Sequence, residues 1–478
     1  MGIGVSNWRL ARAVAEAGQL GVVSGTALNT LLIRRLQEGD AGGEMRAALA
    51  QCPLRAAAQR IEQRYFVPGG KAAAQKYRLA PLFTAESPAD LVELTIVANF
   101  VEVHLAKRGH AGVVGLNLLE KVQLPTLASL FGAMLADVDC VLMGAGIPRA
   151  IPGVLDGLAA WQPVELDLAV ADAVAGEKHL CRFDPRVFFP DARPQLRRPA
   201  FLAIVSSSTL ATTLARKASG RVDGFVVEGL SAGGHNAPPR GSMTLNEHGE
   251  PVYGPRDIAD LAAIHALGRP FWVAGSCAFP EKLRAAREAG AAGVQIGTAF
   301  AFCEESGIEP NVKRFVLEQS AAGTTALLTD PRASPTGMPF KVVDVPGTVS
   351  RPDVYEERAR VCDLGYLRQA YRKPDGSLGY RCPAEPVDDY VRKGGNAADA
   401  VGRKCLCNGL FAAIGLGQAL PEGKVEPAIV TAGADVAELA RFLSPGTLSY
   451  RAADVLNFVL EAFCAPVARL KIPAPVSA

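Results

Sequence analysis

The chain has 478 residues and a mass of 50.2 kDa, which suits one large α/β barrel with additions or roughly three smaller domains. Its 50 basic and 48 acidic residues leave a net charge of +2, so the whole chain offers no electrostatic footprint for nucleic acid or for a charged membrane. With 49% apolar and 21% charged residues, the composition excludes a disordered protein.

The cysteine content and the N-terminal sequence both favour a cytoplasmic protein. Ten cysteines in 478 residues are too sparse for a disulfide scaffold, which favours a reducing compartment. The first nine residues lack the basic-then-apolar order of a signal peptide. No run approaches ~18 uncharged apolar residues, so the sequence predicts no transmembrane helix.

Seven short apolar runs, each followed by a helical stretch, dominate the first two thirds of the chain. Such runs are typical of strands buried on both faces of a parallel sheet. The alternation predicts βα units, either closed into a barrel or open as a doubly wound sheet. The predicted strands are 19–25, 112–118, 138–144, 201–206, 222–229, 270–275 and 292–297. The predicted helices are 7–18, 124–137, 209–219, 256–267 and 280–289.

Three stretches interrupt this alternation. Residues 26–111 are mostly helical in pattern and separate the first two strands. Residues 162–198 predict an antiparallel hairpin and a connector rich in proline and arginine. After about residue 345 the alternation stops at a proline- and glycine-containing linker. We therefore expect a barrel domain, residues 1–345, and a mostly helical, cysteine-containing extension, residues 346–478.

The most informative segment follows the fifth predicted strand, where Gly233 and Gly234 precede His235. A histidine titrates near neutrality, so at the C-terminal end of a parallel strand it can take or give a proton beside a bound ligand. An isolated histidine is more often a surface-loop residue without such a role. The two glycines and the strand-end position favour a functional role for His235.

The last two predicted strands end in Gly275-Ser276 and in Gly297-Thr298. Glycine at the C-terminal end of a parallel strand lets a ligand approach the backbone closely, although any single glycine is equally well explained as a strand terminator. In barrels the loops after the seventh and eighth strands commonly bind phosphate through backbone N–H groups. We therefore expect a phosphate-bearing ligand at these two loops.

These motifs, in this order and spacing, resemble those of the nitronate monooxygenase family, formerly called 2-nitropropane dioxygenases. The closely related flavin-dependent enoyl-acyl-carrier-protein reductases share the pattern. The resemblance covers about residues 1–345 and implies a TIM (β/α)8 barrel that holds FMN, without covalent attachment, at its C-terminal mouth. The motifs are Gly115-Leu116-Asn117-Leu118, Gly144-Ala145-Gly146-Ile147-Pro148, Val227-Glu228-Gly229, Ala232-Gly233-Gly234-His235, Val273-Ala274-Gly275, Gly297-Thr298-Ala299-Phe300 and Glu305-Ser306.

The resemblance also implies roles for individual residues. His235 matches the histidine that acts as base on a nitroalkane, or lies beside the substrate carbonyl in a reductase. Glu228 stands where the family usually has glutamine. The implied cofactor-binding residues are Asn117, Gly144, Glu228, Gly233, Gly234, Gly275, Ser276, Gly297 and Thr298.

The sequence departs from the family pattern at two places. The family's first strand reads roughly Pro-x-x-x-Gly-Gly-Met-Gly, and this sequence starts with Met1-Gly2, where that strand should end. Because a barrel needs closure, we expect that its first strand is missing or that the true start lies upstream. Ser276 replaces the second glycine of the usual pair, a change that costs little if its φ is negative.

Three functions remain open from the sequence. The first is an FMN-dependent monooxygenase that oxidises alkyl nitronates and nitroalkanes with O₂. The alternative is a trans-acting, NAD(P)H-dependent enoyl-acyl-carrier-protein reductase of a polyketide or fatty-acid pathway. A basic patch for an acyl carrier protein then lies at Arg193, Arg197 and Arg198, although a solvated connector is the commoner reading. The third is a non-catalytic barrel that binds a partner through its C-terminal helices. The intact motifs favour the first.

Four cysteines, Cys362, Cys382, Cys405 and Cys407, cluster late in the chain. Their long gaps and the Cys-x-Cys spacing fit no common signature for zinc or an iron–sulfur cluster, so we expect no metal site. The interpretation preferred over a metal site is a helical appendage, residues 405–470, that packs on the barrel or forms a homo-oligomer interface. Its candidate contact residues are Leu410, Phe411, Leu443 and Phe458.

Overall fold

The computed structural model describes residues 2–461 and contains strands at all seven predicted positions. The strands are β1 (Gly21–Ser24), β2 (Val114–Leu119), β3 (Cys140–Gly144), β4 (Val164–Asp167), β5 (Val170–Ala171), β6 (Leu180–Phe183), β7 (Ala200–Val205), β8 (Gly224–Glu228), β9 (Phe271–Ala274), β10 (Gly293–Gln295), β11 (Leu327–Asp330), β12 (Phe340–Val343), β13 (Gln369–Arg372) and β14 (Leu378–Arg381).

The helices that accompany them are mostly short. They are α1 (Trp8–Glu16), α2 (Leu28–Gln37), α3 (Glu44–Leu49), α4 (Arg55–Tyr65), α5 (Ala89–Lys107), α6 (Thr126–Leu135), α7 (Ile151–Ala159), α8 (Ser208–Lys217), α9 (Leu261–His265), α10 (Pro280–Glu288), α11 (Thr298–Ala301), α12 (Pro310–Ala322), α13 (Pro352–Glu357), α14 (Val387–Arg392), α15 (Leu406–Ala412) and α16 (Ala452–Leu460). The predicted helix at 256–267 is shorter than expected, because a 3-10 turn at Pro255–Asp257 precedes α9.

The centre of the fold is one parallel sheet in the order β1-β2-β3-β7-β8-β9-β10. Alternate residues of its strands are buried on opposite faces. On β3, Cys140 and Leu142 belong to an inner apolar cluster, whereas Val141 and Met143 pack into the main core with the helices. Burial on both faces explains why these strands read as continuous apolar runs.

The sheet is curled but open. Val22 of β1 and Val294 of β10 line the same cavity, although β1 and β10 do not pair within residues 2–461. The structure confirms the α/β class with a curled, open sheet of seven parallel strands. The sequence predicted a closed (β/α)8 barrel, which would need an eighth strand at the open edge.

The stretches that interrupt the alternation have the predicted local character. Residues 26–111 contain α2 to α5, and α5 is buried on all sides over residues 94–103 because it packs against α1, α2 and α6 at once. Within 162–198, β4 and β6 form the predicted antiparallel pair, with Val164 opposite Phe183.

The extension after residue 345 is less helical than predicted. Its β13 and β14 form an antiparallel hairpin, and β13 also pairs in parallel with β5, at Ala370 opposite Val170. The turn contains Pro374, Asp375 and Gly376, a turn signal that the sequence analysis overlooked. The prediction of a mostly helical extension therefore needs correction.

The predicted oligomer contacts also need partial correction. Phe411 is fully buried in the main core, so it is not available as an interface residue. Leu410, Leu443 and Phe458 are partly buried against the cores. Residues 462–470 of the predicted appendage lie outside the described residues.

Among residues 2–461, none of the helices combines the length and the apolar character that a membrane span requires.

Candidate functional site

A cavity of about 1100 Å³ lies inside the curled sheet and is lined by residues at the C-terminal ends of its strands. It also reaches Pro270 and Ala292, which precede β9 and β10, so it extends along the whole inner face. Side chains of α1, α10 and α16 line it as well, because no strand separates them from the interior at the open edge. Its volume is at the upper end of the ~300–1,000 Å³ typical of ligand sites.

All ten predicted site residues line this cavity. The parallel strands end at the same edge of the sheet, which brings together residues that lie far apart in sequence. The ten are Asn117, Gly144, Glu228, Gly233, Gly234, His235, Gly275, Ser276, Gly297 and Thr298.

His235 lies in the loop after β8, and its ring is held on two sides. Its Nε2 is 2.6 Å from the Ser334 hydroxyl oxygen, and its ring contacts Phe340 edge-on at a centroid distance of 4.8 Å. Burial lowers the pKa of His235 well below its usual 6.5, and the positive charge of Lys121 lowers it further. The imidazole is therefore neutral at physiological pH and has a lone pair with which to accept a proton.

The Gly233-Gly234 pair accommodates a segment of the C-terminal extension, which we call the 431–435 segment. A Cβ at Gly233 would be 2.6 Å from the carbonyl carbon of Ala432. Gly234 has a φ of +76°, and its N–H donates to the Thr431 hydroxyl at 3.0 Å. The two glycines are therefore required by packing within the chain, and the 431–435 segment forms part of the cavity wall. This segment was not predicted from the sequence.

The loop after β9 has an unsatisfied polar group. Ser276 has a φ of +47°, in the left-handed region, so the condition under which serine replaces glycine at little cost is not met. Its hydroxyl is buried and has no hydrogen-bond partner among residues 2–461. A buried unpaired hydroxyl costs free energy unless a ligand or water satisfies it.

In the loop after β10, Gly297 adjoins open space, whereas the Thr298 hydroxyl is hydrogen-bonded within the chain. A Cβ at Gly297 would meet no atom of the described residues within 4 Å, so open space adjoins this glycine. The Thr298 hydroxyl oxygen instead accepts the Gly433 N–H at 2.8 Å. Of the two predicted hydroxyl ligands for a phosphate, only Ser276 has no hydrogen-bond partner among the described residues.

Three charged side chains lie near one another at this site: Glu228 lines the cavity, and Lys121 and Lys341 interact with it electrostatically. Burial raises the pKa of Glu228 to about 7, and burial lowers the pKa of Lys121 and of Lys341 to about 8. The Lys341 ammonium group donates to the Leu230 carbonyl at 2.8 Å and to Asn236 Oδ1 at 2.7 Å, which fixes the loop that carries His235. The sequence carried one signal for the role of Lys341, because a lysine rarely lies within an apolar run such as β12.

Comparison with known proteins gives a family match for the middle of the chain. Residues 177–334 match the family model described as nitronate monooxygenase. This segment is similar to the nitronate monooxygenase family. The resemblance that the motifs indicated is thereby confirmed, and it includes the loop of His235 and both loops proposed for phosphate.

Curated nitronate monooxygenases match over part of their length. A probable nitronate monooxygenase of Bacillus subtilis is 36% identical over 134 residues, which are 28% of this chain and 37% of that protein. The nitronate monooxygenase of Pseudomonas aeruginosa is 33% identical over 138 residues, 27% of this chain and 36% of that protein. The matches thus span little more than a third of these relatives. The structure of FabK from Thermotoga maritima aligns with 96% of this chain and 89% of that chain, at 15% identity and a TM-score of 0.45.

The four late cysteines come together outside residues 177–334, the part of the chain that matches the family model. Cys362, Cys382, Cys405 and Cys407 line one small cavity in the extension, and all four are free thiols. The Cys362 and Cys382 thiols share a hydrogen bond, which lowers the pKa of Cys362. Among residues 2–461, no three potential ligands are arranged to hold a metal ion.

Two of the three arginines considered for a carrier-protein patch are engaged within the chain. Arg197 pairs with Asp137 at 2.8 Å and with Asp139 at 2.7 Å. Arg198 pairs with Asp156 at 2.9 Å and also with Asp223. Their charges are largely compensated, which weakens the case for a docking patch for an acidic protein. The partner itself stays a prediction.

Proposed function

We propose that the protein is an FMN-dependent oxidoreductase of the nitronate monooxygenase type, which oxidises alkyl nitronates and nitroalkanes with O₂. The observation that carries the proposal is the neutral His235 in the same cavity as the loops of Ser276 and Gly297, inside the segment that matches the family. A proton acceptor and a cradle for an anionic cofactor are the two parts that this chemistry requires.

The residues around the cradle fit the phosphate of FMN. The buried Ser276 hydroxyl has no partner among the described residues, and open space adjoins Gly297. Asn117 and Gly144, at the ends of β2 and β3, would lie along the remainder of the cofactor. When bound, FMN would supply the electron transfer between the substrate and O₂.

The chain's own residues would orient the substrate and accept its proton. His235 would abstract the α-proton of a neutral nitroalkane, a step that a preformed nitronate does not need.

A visible absorbance spectrum of the purified protein tests the proposal first. A flavin spectrum that persists after anaerobic addition of NADPH, and that changes when an alkyl nitronate is added, supports the monooxygenase. Protein that holds no flavin after reconstitution with FMN, and that does not consume O₂ with nitronates, contradicts it. The matched control is the H235N variant, which should bind FMN as the wild type does.

The size of the cavity favours a second candidate, the NAD(P)H-dependent reduction of an enoyl thioester carried by an acyl carrier protein. The volume of about 1100 Å³ exceeds what a small nitroalkane needs beside a flavin. Apolar side chains, including Leu119, Ile147, Leu210 and Trp272, line it and suit an acyl chain. Rapid bleaching of the flavin by NADPH, followed by reoxidation with an enoyl thioester, would favour this reaction over the first.

A further inference from the structure

A chain of side-chain hydrogen bonds leads from His235 away from the cavity. His235 Nε2 is 2.6 Å from Ser334 Oγ, and Ser334 Oγ is 2.8 Å from Thr336 Oγ1. Thr336 Oγ1 is 3.4 Å from the Nζ atom of Lys121, the longest of the three links. Every group in this series can either donate or accept a proton once Lys121 is deprotonated.

The two ends of the chain face different surroundings. His235 lines the cavity, and its Nδ1 makes no hydrogen bond to any residue between 2 and 461, so that nitrogen is available to a ligand. Lys121 lies on the loop after β2 and is partly exposed, although burial lowers the pKa of its amine. The chain therefore connects the histidine that lines the cavity with a partly exposed lysine.

The middle of the chain is held rigidly. Ser334 has no exposed surface, and its hydroxyl also accepts the backbone N–H of Thr336 at 3.2 Å. The Ser334 carbonyl accepts a hydrogen bond from the Arg403 guanidinium group at 2.6 Å. Its complete burial also excludes Ser334 as a nucleophile for a substrate in the cavity, although it lies beside a histidine.

The charges around the chain make His235 a poor final holder of a proton. Burial disfavours the protonated form of His235, whereas protonated Lys121 is stabilised by Glu228 and Glu120. Lys341, on the neighbouring β12, adds a second positive charge near Glu228. A proton taken from a substrate therefore has a favourable direction of travel, from the imidazole to the amine.

We propose that Ser334 and Thr336 relay a proton between His235 and Lys121. For the substrate proton this rests on the proposed oxidation of nitroalkanes. His235 Nδ1 takes the α-proton, and the electron pair of the C–H bond remains on the substrate as the nitronate. The Nε2 proton passes to Ser334 Oγ, the Ser334 hydroxyl proton to Thr336 Oγ1, and the Thr336 proton to the unprotonated amine of Lys121. Ser334, Thr336 and Lys121 are thus positioning residues that act through His235.

Kinetics with a matched pair of variants test the relay. T336V removes one hydroxyl but leaves the contact between His235 and Ser334, whereas T336S retains the hydroxyl. We expect T336V to lower kcat for a neutral nitroalkane about tenfold, less than the 10²–10⁴ that a general base contributes. The loss should be confined to substrates that must lose a proton, and T336S should restore it. A T336V enzyme that is as fast as wild type, while H235N is slow, overturns the relay.

Nitrogen-15 NMR of the flavin-free protein gives a readout that does not need turnover, with H235N to assign the His235 signals. The relay requires a neutral ring that carries its proton on Nε2, and an Nδ1–H tautomer overturns it because Nδ1 could then accept nothing. Should T336V fail to fold, K121M serves instead, and it should raise the pH at which His235 protonates. If the tautomer is as expected but neither nitroalkanes nor nitronates react, the proposed function fails while the hydrogen-bond chain stands.

Discussion

Replacing Gly233 with alanine tests whether the 431–435 segment is locked against the loop of His235. The new Cβ would be 2.6 Å from the carbonyl carbon of Ala432 and 2.7 Å from the backbone nitrogen of Gly433, where ordinary contact begins at 3.4 Å. The clashing atoms are backbone, so the segment itself must move by roughly 0.8 Å. Such a shift would also stretch the hydrogen bond between the Gly234 N–H and Thr431.

The magnitude follows from these two effects. Forcing extra volume into a packed interior costs about 1–3 kcal/mol, and a lost hydrogen bond adds about 1 kcal/mol. We expect G233A to lower the free energy of unfolding by about 2–4 kcal/mol, measured by urea titration. For a chain of this length that is a fall in Tm of roughly 2–4 °C.

The control is G254A, at a glycine with an unremarkable φ of −123° and no atom of the described residues within 4 Å of a new Cβ. It should change the free energy of unfolding by less than about 0.5 kcal/mol. A G233A protein that is as stable as G254A would show that the segment is free to move, and the cavity wall described above would be wrong.

Three further substitutions test the site and its support. H235N should retain flavin but lower turnover of a neutral nitroalkane by a factor of order 10²–10⁴. R358M should cost about 3–5 kcal/mol, because it leaves Glu426, buried and 2.6 Å from Arg358 Nε, without its partner. E228Q should be more stable than wild type near pH 8 and equal to it near pH 4.5. The reason is that burial raises the pKa of Glu228 from 4.5 to about 7. The contribution of its neutral carboxyl group to the free energy of unfolding is therefore fully present below pH 4.5 and is lost as the pH rises through 7.

One measurement decides each of the predictions for H235N, R358M and E228Q. Unchanged nitroalkane turnover by H235N would remove the histidine from the reaction. For the ion pair, urea titration should show that the double variant R358M/E426L recovers most of the lost stability, and no recovery would contradict the account. For Glu228, parallel stability curves of E228Q and wild type between pH 4.5 and 8 would show that its carboxyl group titrates normally.

The sequence predicted the strands and the edge of the sheet where they meet the cavity. Strands such as β3 are buried on both faces, so each reads as an apolar run that needs no knowledge of its neighbours. The positions of His235, Ser276 and Gly297 followed, because loops after parallel strands converge at one edge. These predictions depend on local patterns only.

What the sequence could not predict depends on contacts between distant segments. Nothing local marks Ser334 as the partner of a histidine 99 positions earlier, or Thr431 as the partner of a glycine 197 positions earlier. The positive φ of Ser276 was likewise invisible, since its neighbours suggested only a turn. The hairpin of β13 and β14 is different, because its turn residues were present and were overlooked.

The 431–435 segment also sets the order in which this protein can mature on the ribosome. All seven strands of the sheet have been synthesised by residue 295, but the wall that covers Gly233 and bonds to Thr298 emerges only with residues 431–435. Until then one side of the cavity inside the sheet has no wall. The complete cavity therefore exists only after this segment and the later helix α16, which also lines it, have left the ribosome.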